Sequence, residues 1–198
     1  MSEWFFQECI ETDREMLLLA AIESHEIDVE ARDCVDRTPL MVALEYGKPE
    51  VVKALLVLGA NPSGTSDDGG TCLSRAIDAG DFESLRLLID AGADIELSSS
   101  GFYTPLALAA TRGNVAMVQY LLQRGANIEA RGEMEETPLI EACLFGQAET
   151  AALLLRSGAD PTAKDACGRS ALEAANQWPG FVAALNAAST EASTPPSG

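Results

Sequence analysis

Aromatic residues make up only 6% of this 198-residue chain, and histidine occurs once, at His25. A serine or cysteine nucleophile would have to recruit that one histidine as its base, and no GxSxG-type motif accompanies it. The cysteines, Cys9, Cys34, Cys72, Cys143 and Cys167, are odd in number and form no CxxC pair. That arithmetic suits neither a disulfide framework nor a zinc site, and reduced thiols in the cytoplasm are expected. Gly47-Lys48-Pro49 and Gly69-Gly70-Thr71 do not complete a GxxxxGK[ST] phosphate loop. No apolar stretch approaches the length of a membrane span, and Met1-Ser2-Glu3-Trp4 is not a basic segment leading into an apolar run, so no secretory signal is expected. Positive charge is also scarce: 13 Lys and Arg stand against 31 Asp and Glu, a net charge of −18. Such a field repels phosphate, which argues against nucleic acid and anionic membranes as partners. Neither catalysis, nor a cofactor, nor a metal is expected.

What the chain does contain is one unit written repeatedly, seen most clearly in TPLALAATRGNVAMVQYLLQRGANIE from Thr104 to Glu129. Thr104 can cap the first free N–H groups of a helix, and Pro105 at the first helical position forfeits no hydrogen bond. Val115, Val118, Leu121 and Leu122 recur at helical spacing, and Gly113 and Gly125 close the two helices. The starting Thr or Ser stands at Thr38, Thr71, Thr104, Thr137 and Ser170, always 33 residues apart. A second marker, Gly-Ala at Gly59, Gly92, Gly125 and Gly158, keeps the same interval. The Leu40, Leu73, Leu106 and Leu139 series and the Leu55, Leu88, Leu121 and Leu154 series are expected to be core.

This period, with a TPL start and a GAD or GAN end, resembles the ankyrin repeat. The resemblance implies an all-α solenoid of stacked helix-turn-helix units joined by short β-hairpin-like loops, about six repeats including caps. It covers residues 1–188 as a single domain, with a terminal cap repeat at 1–32 and internal repeats at 33–65, 66–98, 99–131 and 132–164. A closing cap repeat follows at 165–188, divided at Pro179, and residues 189–198 read as a disordered tail. Thr12 followed by Glu15 reads as a capping box in the first repeat. The family's His after TPL is replaced by Met41, Ser74, Ala107, Ile140 and Glu173, which removes a local hydrogen bond. At the loop tips, Gly69 and Gly168 keep the family's Gly two places before the Thr or Ser. Asp36 tolerates the left-handed region there, and Gly101 and Gly132 are expected to relieve Phe102 and Glu135 of that strain.

In proteins resembling ankyrin, partners lie against the tips and the end of the first helix. Carried over place by place, that surface comprises Val35, Arg37, Glu45, Tyr46, Asp67, Asp68, Asp78, Phe102, Tyr103, Arg112, Met134, Glu135, Glu136, Leu144, Phe145 and Trp178. Apolar anchors ringed by acids have the composition of a binding surface. The expected function is a non-enzymatic protein-protein interaction module, in a specific form an acidic inhibitor or immunity-type protein masking a basic partner and monomeric on its own. The alternative is a structural or assembly scaffold acting through self-association.

Overall fold

The computed structural model describes residues 5–12, 14–101 and 103–178. Two compact units meet in sequence between Ser100 and Gly101. The first unit contains α1 (Phe5–Glu11), α2 (Glu15–Glu23), α3 (Pro39–Glu45), α4 (Pro49–Val57), α5 (Cys72–Asp78) and α6 (Phe82–Asp90). The second contains α7 (Pro105–Arg112), α8 (Val115–Gln123), α9 (Pro138–Leu144), α10 (Ala148–Arg156) and α11 (Ala171–Ala175). In each unit consecutive helices pack as pairs, α1 with α2, α3 with α4 and α5 with α6 in the first, α7 with α8 and α9 with α10 in the second. First helices pack on first helices, α1 on α3 on α5 and α7 on α9 on α11, while α4 packs on α6 and α8 on α10. This is the all-α repeat fold expected from the period. The part of the closing repeat from Pro179 to residue 188, where a second helix is expected around 181–187, and the tail fall outside the described residues.

Each repeat starts as its chemistry dictates. The hydroxyls of Thr38, Thr71, Thr104 and Thr137 accept from the N–H three residues on, and Ser170 does the same for Glu173. The missing family His is compensated at two of its five places. Ser74 Oγ accepts from Thr71 N–H at 2.9 Å and Glu173 Oε2 from Ser170 N–H at 2.7 Å, so both make full capping boxes.

The second helices end alike. Gly59, Gly92, Gly125 and Gly158 take φ of 91–97°, and the following Ala donates back to Leu55, Leu88, Leu121 or Leu154 at 3.0 Å. Positive φ is what a side chain resists, and the returning N–H satisfies a carbonyl the helix leaves open. The two leucine series are buried in both units, with no member more than 2% exposed.

Two local expectations fail for identifiable reasons. Thr12 does not cap α2: its hydroxyl bonds back to Glu8 O at 2.6 Å as part of the end of α1, and Arg14 takes the capping place without a side-chain bond. At the fifth tip Glu135 itself adopts φ of 62°, and Gly132 does not relieve it. Arg131 Nη1 grips Glu135 O at 2.7 Å, and Gly132 N–H pairs with Glu136 O at 2.9 Å, so the loop is closed around Glu135. Asp36 likewise takes φ of 62° under Arg32, and Gly101 supplies positive φ at the fourth tip. Phe102 lies outside the described residues. Among the described residues, the hairpin character of the loops is confined to single bridges, Thr65 with Thr71 and Lys164 with Ser170.

Successive repeats are also stitched by polar contacts. Arg32 Nη1 reaches Thr65 O, and Arg131 Nη1 reaches Lys164 O, both at 2.7 Å. Glu30 accepts from Asn61 N–H and Glu129 from Asp160 N–H. Each such bond satisfies a loop group that helices cannot reach.

Candidate functional site

In the first unit, three of the charged candidates, Arg37, Glu45 and Asp68, are engaged in ion pairs within the chain. Arg37 Nε donates to Asp33 Oδ2 at 2.9 Å, Nη1 to Glu45 Oε2 at 2.6 Å and Nη2 to Gln7 Oε1 at 3.2 Å. Burial works against the Arg37 cation, but Asp33 and Glu45 outweigh it and raise its pKa. Glu45 also pairs with Arg75, whose Nη2 meets Ser66 Oγ at 2.6 Å and both Asp68 oxygens at 3.0 Å. The Asp68 carboxyl is held below its usual range, first by the Ser66 hydroxyl.

The Tyr46 hydroxyl donates to Glu11, which raises the phenol and lowers the carboxyl. Thus Arg37, Glu45 and Asp68, which the family resemblance assigned to a partner, form a chain of ion pairs with Arg75 whose Asp68 end stays exposed. Val35, Asp67 and Asp78 lie exposed beside it. Arg75, on the fourth residue after Thr71, is the member that sequence reasoning missed.

The second unit presents a different surface. Met134 is 46%, Phe145 50% and Trp178 42% exposed, while Tyr103 and Leu144 are half-buried. Trp178 is nevertheless fixed: its Nε1 donates to Leu144 O at 3.3 Å beside Gln177 Nε2 at 2.7 Å, and its backbone N–H bonds Ala175 O. The indole lies against Gly146, where an added Cβ would come within 2.9 Å of the ring. The fifth tip is pinned by Ala166 N–H on Met134 O at 2.8 Å and by Met134 N–H on Glu136 Oε2 at 2.9 Å. A fixed, half-exposed indole beside exposed phenyl and thioether groups on hydrogen-bonded backbone is the kind of side-chain set that anchors an interface. Arg112 and Glu135 are exposed beside them and Glu136 is half-buried.

Gly146 is left-handed at φ of 71° and sits under a ring that cannot swing away freely. Gly146→Ala is expected to cost about 1–2 kcal/mol through backbone strain alone and to displace the indole. Trp178 fluorescence in a Trp4→Phe background reads the displacement; an unshifted emission maximum with unchanged stability would show that the ring is not packed there.

Beneath the second-unit face lies a carboxylate that the sequence did not single out. Glu141, on α9, is 3% exposed, and its Oε2 has no hydrogen-bond partner among the described residues. Burial, with a smaller push from Glu136, raises its pKa to about 7. The Tyr103 phenol is raised as well, first by burial and then by Glu141 and Glu136, with Arg112 opposing.

Chemical machinery is sparse elsewhere. His25 is exposed with φ of 60°. Burial pushes the Cys72 and Cys143 thiols to about 12, which leaves them protonated and unreactive at neutral pH. Among the described residues, no group of three His, Cys, Asp or Glu could hold a metal ion, and no helix is long and apolar enough to cross a membrane.

A family model described as ankyrin repeats (3 copies) matches residues 8–99 and 96–165, which is most of the chain. No curated protein matches it.

Proposed function

The chain belongs to the ankyrin-repeat family, a fold that serves as a protein-protein interaction module, and on that premise we propose a non-enzymatic binding protein whose second unit grips a protein partner. The observation that carries this reading is the contrast between the units. Arg37, Glu45, Asp68 and Arg75 of the first are tied to one another, whereas Met134, Phe145 and Trp178 of the second stand exposed on hydrogen-bonded backbone.

The acidic tip at Glu133, Glu135 and Glu136 and the net charge of −18 favour a basic partner, steered on by the field. An inhibitor or immunity-type role, masking a basic protein, is the specific form this takes. Phosphate-bearing partners are disfavoured by the same charge. The exposed thiols of Cys34 and Cys167 fit a reducing, cytoplasmic setting.

Alanine at Tyr103, Phe145 and Trp178 together is expected to weaken the partner, once captured, by 100-fold or more, since anchors of this kind commonly contribute about 2 kcal/mol each. Alanine at Val35 and Tyr46 should change affinity by less than 10-fold. The reverse pattern would move the site to the first unit.

Self-association is the second reading, favoured by Met16 and Leu17 of α2, which are 75% and 61% exposed. Sedimentation equilibrium separates the two: a monomer is expected, and a dimer dissociated by Met16→Ser and Leu17→Ser would establish the alternative.

A further inference from the structure

Glu141 and Arg75 occupy the same place in the repeat, four residues after Thr137 and Thr71. In the first unit the charge at that place is paired, because Arg75 is met by Ser66 and Asp68 of its own tip and by Glu45 of the preceding helix pair. The Arg75 Nε stays without a partner among the described residues. At the matching places of the second unit stand Gly132, Met134 and Thr111. Gly132 and Met134 bring no charge, and the Thr111 hydroxyl is directed to Ala107 O at 2.9 Å. The central charge has changed sign and its counter-charges have gone. What remains is a carboxyl with Oε2 unpartnered and almost wholly out of water, under a tip that adds Glu133, Glu135 and Glu136.

A buried, unsatisfied carboxyl is a costly feature, tolerated where something else completes it. The ion-pair chain of the first unit indicates which chemistry completes this place in the fold: an acid and a guanidinium in contact. We infer that Glu141 is the receiving group for one cationic side chain of the partner, a lysine or arginine inserted beside Met134 and Glu136 while apolar neighbours cover Phe145 and Trp178.

The inference rests on the binding role proposed for the second unit and adds its specificity element. The tip backbone is held by Ala166 N–H on Met134 O, so admission requires side chains to move: Met134 is exposed, and half-buried Glu136 gives up its bond from Met134 N–H. Arg169, a cation of this chain whose field reaches Glu136, is already paired with Asp165 at 2.8 Å. A protonated Glu141 in the free chain would surrender its proton to solvent as the cation enters, so binding should release up to one proton and strengthen as pH rises through neutrality.

The test uses the full chain as bait for a displayed library of twelve-residue peptides, followed by titration of the best synthetic peptide. The wild type is expected to select a Lys or Arg at fixed spacing from an apolar residue. Glu141→Gln should bind that peptide at least tenfold more weakly. Replacing the peptide's cation by norleucine should cost the wild type as much and cost Glu141→Gln nothing further.

Equal affinity of Glu141→Gln and wild type, or independent effects in that cycle, would overturn the inference. Phe145→Ala with Trp178→Ala tells the two proposals apart. Peptide binding lost in that variant but kept in Glu141→Gln removes only the cation slot. Binding kept in both, or no peptide selected by the wild type, removes the face as well.

Discussion

Glutamine in place of Glu141 is expected to stabilise the free chain at pH 8 by about 2–3 kcal/mol, and to leave it unchanged below about pH 4.5. The sign follows from proton counting. Burial lifts the folded-state pKa to about 7 from a model value of 4.5. Between these values the native chain holds a proton that the unfolded chain has lost, so stability falls as pH rises through the window. Above it, the native chain carries a desolvated carboxylate whose Oε2 no described group meets. Glutamine keeps the shape and removes the charge.

Urea denaturation of both proteins from pH 4 to 8 gives the difference directly, and other carboxylates cancel from it because the two chains share them. Glu11 and Asp68, held low by their partners, act in the opposite sense on both. A difference that stays flat with pH would mean that Glu141 is hydrated and satisfied. The expected gain in stability also bears on function. A residue whose neutral isostere folds better is one retained for something other than folding.

The repeat itself was open to inspection in the sequence, because the Thr hydroxyl, the Pro after it and the Gly-Ala turn each solve a backbone problem that recurs unchanged every 33 residues. Such signals are local, and they survive whatever packs against them. The candidate face was legible only as a set of places. That Val35, Tyr46, Met134 and Phe145 would be exposed follows from their position at the tips and helix ends. That Arg37, Glu45 and Asp68 would pair within the chain could not be read, because it depends on Arg75 reaching two residues that are 7 and 30 positions away.

The same limit hid Glu141. Its repeat place holds Val42, Arg75, Leu108 and Ala174 in the other copies, a mixture that gives no periodic signal, and a lone helical acid reads as solvated surface. Aligning the copies by charge rather than by hydrophobicity would have exposed the reversal between Arg75 and Glu141. Gly132 illustrates a different failure. A glycine within reach of a strained turn is the residue expected to take the strain, whereas the hydrogen bonds of Arg131 and Gly132 around Glu135 make the left-handed residue a glutamate.

Removing Glu45 is the complementary experiment in the first unit, and Glu45→Ala is expected to cost about 3 kcal/mol. Two guanidiniums, on side chains 13% and 12% exposed, share its carboxylate, one on each oxygen. Exposed pairs contribute less than about 1 kcal/mol because water screens them and replaces what is lost. Here water has little access, and the Nε of Arg75 already lacks a partner among the described residues, so deletion strands charge that cannot easily be rehydrated. The loss is held to the lower end of the range for buried pairs because Arg37 retains Asp33 and Gln7, and Arg75 retains Asp68 and Ser66.

Glu45→Gln, which keeps one acceptor oxygen, should fall between alanine and wild type. Pairing Glu45→Leu with Arg75→Met should recover at least half the loss, since it removes one stranded cation together with the acid and fills the volume with apolar groups. Urea denaturation measures the totals, and hydrogen exchange at α3 and α5 localises them. A cost under 1 kcal/mol for Glu45→Ala would show a screened, surface-like carboxylate, able to leave Arg37 and Arg75 for an incoming cation. In that event the first unit would be as open to a basic partner as the second, and the contrast on which the assignment of the binding face depends would disappear.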